Sequence, residues 1–495
     1  MRPGIRLLDE SLVERVLGEA FQLLRQPSVQ VGIGEARDLL ASAGAVVDGE
    51  RVRIPEVLAL NCLGTAPREF ALYNRGGAAV VHYGGDAVHF DPGSSCVNVL
   101  DGETRTRRPA ETRDLVLLTQ LSEGLPQFDA QSTAVVCRDV PEAVADLYRL
   151  YVVLAHSSKP VVTGAFSAET LPGMLDLLVL DAGSDAGLRA RPRAVFDVCP
   201  SPPLNWTEFA AQNMIRLARA GVPAQIVSMP MAGATAPVTL IGSVTQHAAE
   251  SLAGIVIHQL AAAGAPVVWG GAPSILDMRT GITPVGAMES VMLNLACAQV
   301  GKHLGLPTHG YLVASDAKLL DAQAGAESAT SAALGALAGI NMISGAGMLE
   351  SLACHSAEKL VFDAELIASA RRLVRGLETP TATLATEAFA SVGTEGFLAS
   401  RETRALFRSE QHLPSTVIDR ERFQEGMVSD AFSRARAAIP QLLASYSRPP
   451  LSATLLAEFA AAVERQARRF GVTFVPSAFC PSEGQPGSFE VISDL

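Results

Sequence analysis

Short apolar runs alternate with longer amphipathic stretches through most of this chain, and that alternation narrows the folds open to it. The runs cover residues 96–100, 133–137, 160–164, 194–199, 224–229, 266–270, 308–313 and 340–344. Between them lie helical patterns such as 141–155, 206–220 and 284–304. Runs that short and that apolar suit strands buried on both faces, and helices between them supply the crossovers that parallel strands need. Strict alternation predicts an α/β fold, a (β/α)8 TIM barrel rather than an open sheet. Before it, residues 1–90 read as a helical prelude with an edge hairpin. Ser11 and Glu14 stand at capping-box spacing, ahead of a stripe through Val13, Val16, Leu17 and Ala20. Residues 34–44 and 55–63 read as two more helices. Beyond residue 370 the alternation stops, and 381–391, 402–412, 420–445 and 451–470 predict a C-terminal helical extension. The expected units are 1–90, 91–370 and 371–495, the last packed on the barrel.

Composition excludes several function classes. A net charge of −12 without a basic stripe argues against nucleic-acid binding. The seven cysteines, Cys62, Cys96, Cys137, Cys199, Cys297, Cys354 and Cys480, show no Cys-x-x-Cys pair and no zinc spacing. They predict reduced thiols, and no metal bound by this chain. No signal core opens the sequence, and no uninterrupted apolar stretch of about 18 residues occurs. The expectation is a cytoplasmic protein without a membrane span. Its apolar content of 48% leaves room for a homo-oligomer.

Chemistry is expected in the loops that follow the runs. After the seventh come Ser315, Asp316 and Lys318, then Gln323 and Glu327, four apart and so on one helix face. Asp316 reads as a helix cap or as a site acid. Lys318 reads as solvated or as a Schiff-base nucleophile of a barrel lyase. After the fourth run comes Trp206, and after the fifth Met229. Trp269 falls within the sixth and reads as core or as part of a site. Tryptophan faces suit quaternary ammonium groups. After the eighth run, Gly345-Ala346-Gly347 has the smallness of a phosphate cradle, Glu350 follows, and His355 stands beside Cys354 at no metal spacing.

The stretches DPGSSCVNVLDGETRTRRPAETRDL (91–115), MPMAGATAPVTLIG (229–242), SDAKLLDAQAGAES (315–328), GAGMLES (345–351) and LPSTVIDR (413–420) resemble the trimethylamine methyltransferase family, in order and over nearly the whole chain. The resemblance implies a (β/α)8 barrel that moves a methyl group from a methylated amine to a corrinoid carried by a separate small protein. Founding members of that family carry pyrrolysine, whereas this sequence holds only standard residues. Members without it resemble glycine betaine methyltransferases, which implies a quaternary amine as donor. A quaternary nitrogen leaves as a neutral amine and needs no added acid. In that reading Trp206 and Tyr311 hold the trimethylammonium end, Met229 contacts the substrate, Asp316 or Glu350 supplies charge, and His355 or Lys318 meets a substrate carboxylate. Gln323 and Glu327 lie where the methyl group is handed over. One stretch departs from the family's His-Phe-Leu-x-His-x-His-Thr pattern: residues 396–403 read GFLASRET, without the three histidines. A non-catalytic betaine-binding barrel is the reading which that departure favours.

Overall fold

The computed structural model describes residues 2–378, 383–394, 396–423 and 428–474. Cys480 and the first two residues of the predicted 381–391 helix lie outside them, as do residues 424–427.

Strands and helices alternate through the middle of the chain. Five parallel strands, Gln131–Ser132, Val161–Thr163, Ala194–Val198, Ala224–Ser228 and Val267–Gly271, pair in sequence order in one sheet. Three more, His89–Pro92, His309–Tyr311 and Met342–Ala346, form a second parallel sheet with Met342–Ala346 in the centre. The sheets meet at both edges. Trp269 bridges Thr308 in parallel register on one side, and on the other the Asp129 N–H donates to the Phe90 carbonyl at 2.9 Å. Taken by sequence, these strands are called first (His89–Pro92) to eighth (Met342–Ala346) below. Nearly all their residues are buried, as the apolar runs require.

The first two strands lie earlier than the sequence predicts. The apolar run at 96–100 instead supplies Asn98–Leu100, which pairs antiparallel with Arg107–Pro109 and parallel with Cys354–His355 in a small outlying sheet. The first strand reads His-Phe-Asp-Pro, and its Asp91 is buried. An inward acid hides such a strand from a search for apolar runs. It also crosses the boundary expected at residue 90.

Helix ends follow local chemistry. Asp321 caps Ala322–Ala338 by accepting from the Ala324 N–H, and Gly339 closes it in the left-handed region. Thr207 and Gly221 do the same for Glu208–Ala220. Leu240–Ala261 is long and apolar enough to cross a membrane by length and composition, but 83% of its most apolar window is buried inside the fold. It packs against the N-terminal helix Glu10–Leu23 and against Glu56–Thr65 and Glu208–Ala220. Of the C-terminal helices, Ala431–Ser445 and Ala453–Arg469 dock on the same body. Phe459, Val463 and Ala467 of Ala453–Arg469 are buried, and that helix lies on Leu171–Ala182.

An N-terminal strand, Val29–Val31, pairs parallel with Asn205–Trp206, the segment after the fourth strand. It fixes where Trp206 goes. The indole is fully buried, donates to the Glu250 carbonyl at 3.1 Å and lies over Gly254.

Candidate functional site

A cavity of about 360 Å³ opens at the C-terminal ends of the strands. Its walls include Ser95, Phe166, Asp197, Phe209, Met229 and Tyr311. All but Phe209, from the first turn of Glu208–Ala220, come from a strand end or the loop beyond it, where a parallel α/β fold gathers side chains from distant parts of the sequence. A larger cavity of about 1030 Å³ lies at the opposite ends of the strands, beneath residues 4–13. It lacks the pairing of a half-buried acid with aromatic walls, so volume does not decide between them.

Asp197 is the acid of the smaller cavity. It accepts from Gln225 Nε2 at 2.7 Å, and the Gln225 Oε1 accepts from the Tyr83 hydroxyl at 3.2 Å. Burial pushes its pKa up to about 7, against the lowering effect of the Gln225 bond. Tyr311 stands edge-on to His309, with ring centroids 5.4 Å apart. Burial, then the nearby Asp197 and Asp91, raises its hydroxyl well above the ordinary range. His309 Nε2 lies 3.0 Å from Ser344 Oγ, which donates to Asp91 Oδ1 at 2.6 Å. Burial holds Asp91 well above the carboxylate range and His309 down at about 3. The Cys199 thiol at the cavity wall is pushed up to about 12 by burial, so it is no nucleophile at neutral pH.

Behind this wall, Arg149 of helix Ala145–His156 is fully buried. Its Nη1 donates to Ser95 Oγ at 3.0 Å and to the Thr133 carbonyl at 2.9 Å. Its guanidinium lies 4.3 Å from the centre of the Phe166 ring. An acid and aromatic rings around one small space can hold a cation, and the carboxylate serves as its counter-ion.

Of the residues expected from sequence, Tyr311 and Met229 line this cavity. Asp316, Gln323 and Glu327 come together beside it as a network that fixes a loop. Glu327 Oε2 accepts from Ser315 Oγ at 2.5 Å and from the Asp316 N–H at 2.8 Å, while Oε1 accepts from Gln323 Nε2 at 2.8 Å. Asp316 in turn accepts from the Val285 and Gly286 N–H groups at 2.9 and 3.0 Å and from Ser351 Oγ at 2.7 Å. Desolvation, with Glu327 adding to it, raises its pKa. This ties the loop after the seventh strand to those after the sixth and eighth. Glu350 pairs with Arg107 at 3.2 Å in the outlying sheet. Lys318 is exposed and donates to the Asp316 carbonyl at 2.7 Å. His355 is fully buried beneath Gly347, with a pKa lowered to about 3 by burial. Neither Lys318, His355 nor Trp206 is among the cavity's lining residues. Trp206 departs from its expected place because its strand pairing and indole bond turn the ring into the helical layer. Trp269 is core, donating to the Cys297 carbonyl at 2.9 Å.

Asp197, Arg149, Phe166 and Ser95 escape the sequence reading. The available signal is a single acid in the fourth apolar run and a single arginine in a helix whose other charged residue is Asp146. No group of His, Cys, Asp and Glu that could hold a metal ion occurs among the described residues. The six described cysteines are free thiols. Where the family pattern has histidines, Ser400 caps helix Arg401–Glu410 and Phe397 packs edge-on to Phe389.

The family model for trimethylamine methyltransferase matches residues 1–471. A trimethylamine methyltransferase of Desulfitobacterium hafniense is 31% identical over 458 residues, 91% of this chain and 92% of that protein. One from Methanosarcina mazei is 33% identical over 465 residues, 91% and 93% of the two chains. A glycine betaine methyltransferase of Desulfitobacterium hafniense is 27% identical over 475 residues, 95% and 98% of the two. Among solved structures, the monomethylamine methyltransferase of Methanosarcina barkeri is similar with a TM-score of 0.50 at 10% identity, over 90% of this chain and 89% of that one. That likeness concerns the α/β fold alone. Matched in sequence from end to end of the described fold, this chain belongs to the trimethylamine methyltransferase family and is a methyltransferase.

Proposed function

We propose that the chain moves a methyl group from a quaternary or other methylated amine, glycine betaine being the type, to the Co(I) of a corrinoid carried by a separate small protein. The observation that carries this reading is the cavity that sets Asp197 among Phe166, Phe209 and Tyr311. A desolvated ammonium group is attracted to the ring faces, and ionised Asp197 balances its charge. The corrinoid is a substrate here, the methyl acceptor. Its cobalt attacks the methyl carbon, the carbon–nitrogen bond breaks, and the nitrogen keeps the electron pair. A quaternary donor then leaves as a neutral amine, so no residue has to supply a proton. The chain's own task is to orient the donor and exclude water.

The strand order, with contacts at both sheet edges, supports reading the eight strands as a closed (β/α)8 barrel. The partner docks over the mouth, where loops joined by the pairing of Met231–Ala232 with Ser274–Ile275 expose Val238, Met278 and Ile282. The network of Asp316, Gln323, Glu327 and Ser351 stiffens the rim that the partner meets. The reaction takes place in the cytoplasm.

The test mixes the protein with a Co(I) corrinoid protein of proven activity and a panel of methylamines and betaines, following cobalt absorbance. Methylation with a quaternary donor supports the reading. No signal with any donor overturns it.

A further inference from the structure

We propose that Arg149, reached beneath the Phe166 ring, recognises a carboxylate, so that the cavity selects zwitterionic methylated ammonium carboxylates over plain methylamines. This rests on the methyl-transfer reading and names its substrate class.

A fully buried guanidinium is costly unless it is paired. Arg149 is fully buried, and its Nε and Nη2 have no hydrogen-bond partner. Among the described residues no carboxylate stands at ion-pair distance from it. The nearest candidate in sequence, Asp146, is committed elsewhere. Its Oδ1 accepts from the Leu147 N–H at 2.8 Å, and its Oδ2 accepts from the Phe166 N–H at 2.7 Å and from Thr170 Oγ1. The guanidinium feels the Asp146 charge without bonding to it, and so keeps two donors in reserve.

Those donors lie behind the cavity wall. Ser95 lines the cavity and accepts from Arg149 Nη1, and its hydroxyl lies 3.2 Å from Ser94 Oγ, a contact it can exchange for a ligand's carboxylate. Ser95 sits at a φ of 65°, in the left-handed region, and its N–H donates to the Thr133 carbonyl at 3.1 Å. The second cover is Phe166. Its ring stacks on the guanidinium, yet the residue is 47% exposed and lines the cavity. Its backbone is pinned by Asp146, so the side chain can swing while the loop stays. Turning the ring aside opens the guanidinium to the cavity.

The arrangement is bipolar. Asp197 and Tyr311 offer a negative and aromatic side for an ammonium group, and Ser95 with Arg149 offers donors and positive charge for a carboxylate. A zwitterion satisfies both, while a plain methylamine leaves Arg149 unpaired.

Calorimetric titration of the full chain with glycine betaine, its methyl ester and tetramethylammonium tests this. The ester keeps the shape and loses the negative charge. Glycine betaine is expected to bind about tenfold or more tightly than either of the others. Arg149→Gln, checked for folding by circular dichroism, is expected to collapse that preference to near parity, and Arg149→Lys to restore part of it. Equal wild-type affinity for betaine and ester overturns the proposal without any variant. If all three ligands bind and methyl transfer proceeds equally from each, the carboxylate reading alone fails. If none binds and none donates a methyl group, the methyl-transfer reading fails with it.

Discussion

Gln225 reaches from the fifth strand to Asp197 on the fourth, 2.7 Å away, and still leaves that carboxyl half-protonated near neutrality. A bound ammonium ion holds Asp197 ionised, so binding expels a proton wherever the free group carries one. Affinity for a quaternary ammonium ligand is expected to rise about tenfold per pH unit up to about pH 7 and to level off above it. Titration calorimetry across that range checks it, and Asp197→Asn is expected to remove the slope. The effect on stability has the opposite sense. The folded chain keeps a proton here that the unfolded chain releases from its ordinary value of 3.8 upward. This group's contribution to stability therefore falls as pH rises from about 4 to about 7.

Lys359 and Asp363 form a buried ion pair one helical turn apart, 2.5 Å between charged atoms. Lys359 also donates to the Val313 carbonyl at 3.0 Å and to Ser328 Oγ at 2.8 Å, while Asp363 accepts from the Gly347 N–H at 2.8 Å. Lys359→Met strands the carboxylate and is expected to cost about 3–5 kcal/mol in chemical denaturation. Adding Asp363→Leu is expected to recover part of that loss. Equal losses in the single and double variants count against a coupled pair.

Trp206→Phe removes the indole donor from the Glu250 carbonyl and keeps most of the buried ring. A loss of about 1–3 kcal/mol is expected, with KM for the methyl donor unchanged. A raised KM with normal stability would return Trp206 to the substrate.

Gly345 has a φ of 122°, and a Cβ there would collide with the Leu312 carbonyl. Gly345→Ala is expected to destabilise the protein by about 2–4 kcal/mol, read from thermal or denaturant melts. Near-wild-type melting would mean that the seventh and eighth strands separate there without cost.

Lys318, exposed and bonded to the Asp316 carbonyl, is expected to be dispensable. Lys318→Ala should keep methyl transfer within about twofold, and borohydride should trap no substrate on it. A trapped adduct would revive lyase chemistry.

Helix positions are legible in the sequence where caps and glycines mark them. The patterns at 402–412 and 451–470 correspond to Arg401–Glu410 and Ala453–Arg469, each opened by a serine whose side chain accepts a backbone N–H. The third to eighth strands are legible for another reason, their continuous burial. The first strand is not, because Asp91 turns inward, and the run after it belongs to an outlying sheet. At the site, Tyr311 and Met229 follow from position after a strand. Trp206 does not, since scarcity of aromatics says nothing about which layer a ring enters. Asp197 and Arg149 stay hidden because their partners, Gln225, Ser95 and Phe166, are near them only in space.

The first and eighth strands pair although 253 positions separate Asp91 from Ser344. During synthesis the first strand therefore leaves the ribosome long before its neighbour exists, with an unpaired edge and an acid whose partner is not yet made. Chains interrupted before the eighth strand keep that edge open, and are material for chaperones and proteases rather than partial enzymes. Pairing strands so far apart in the chain comes late and at a high entropic cost.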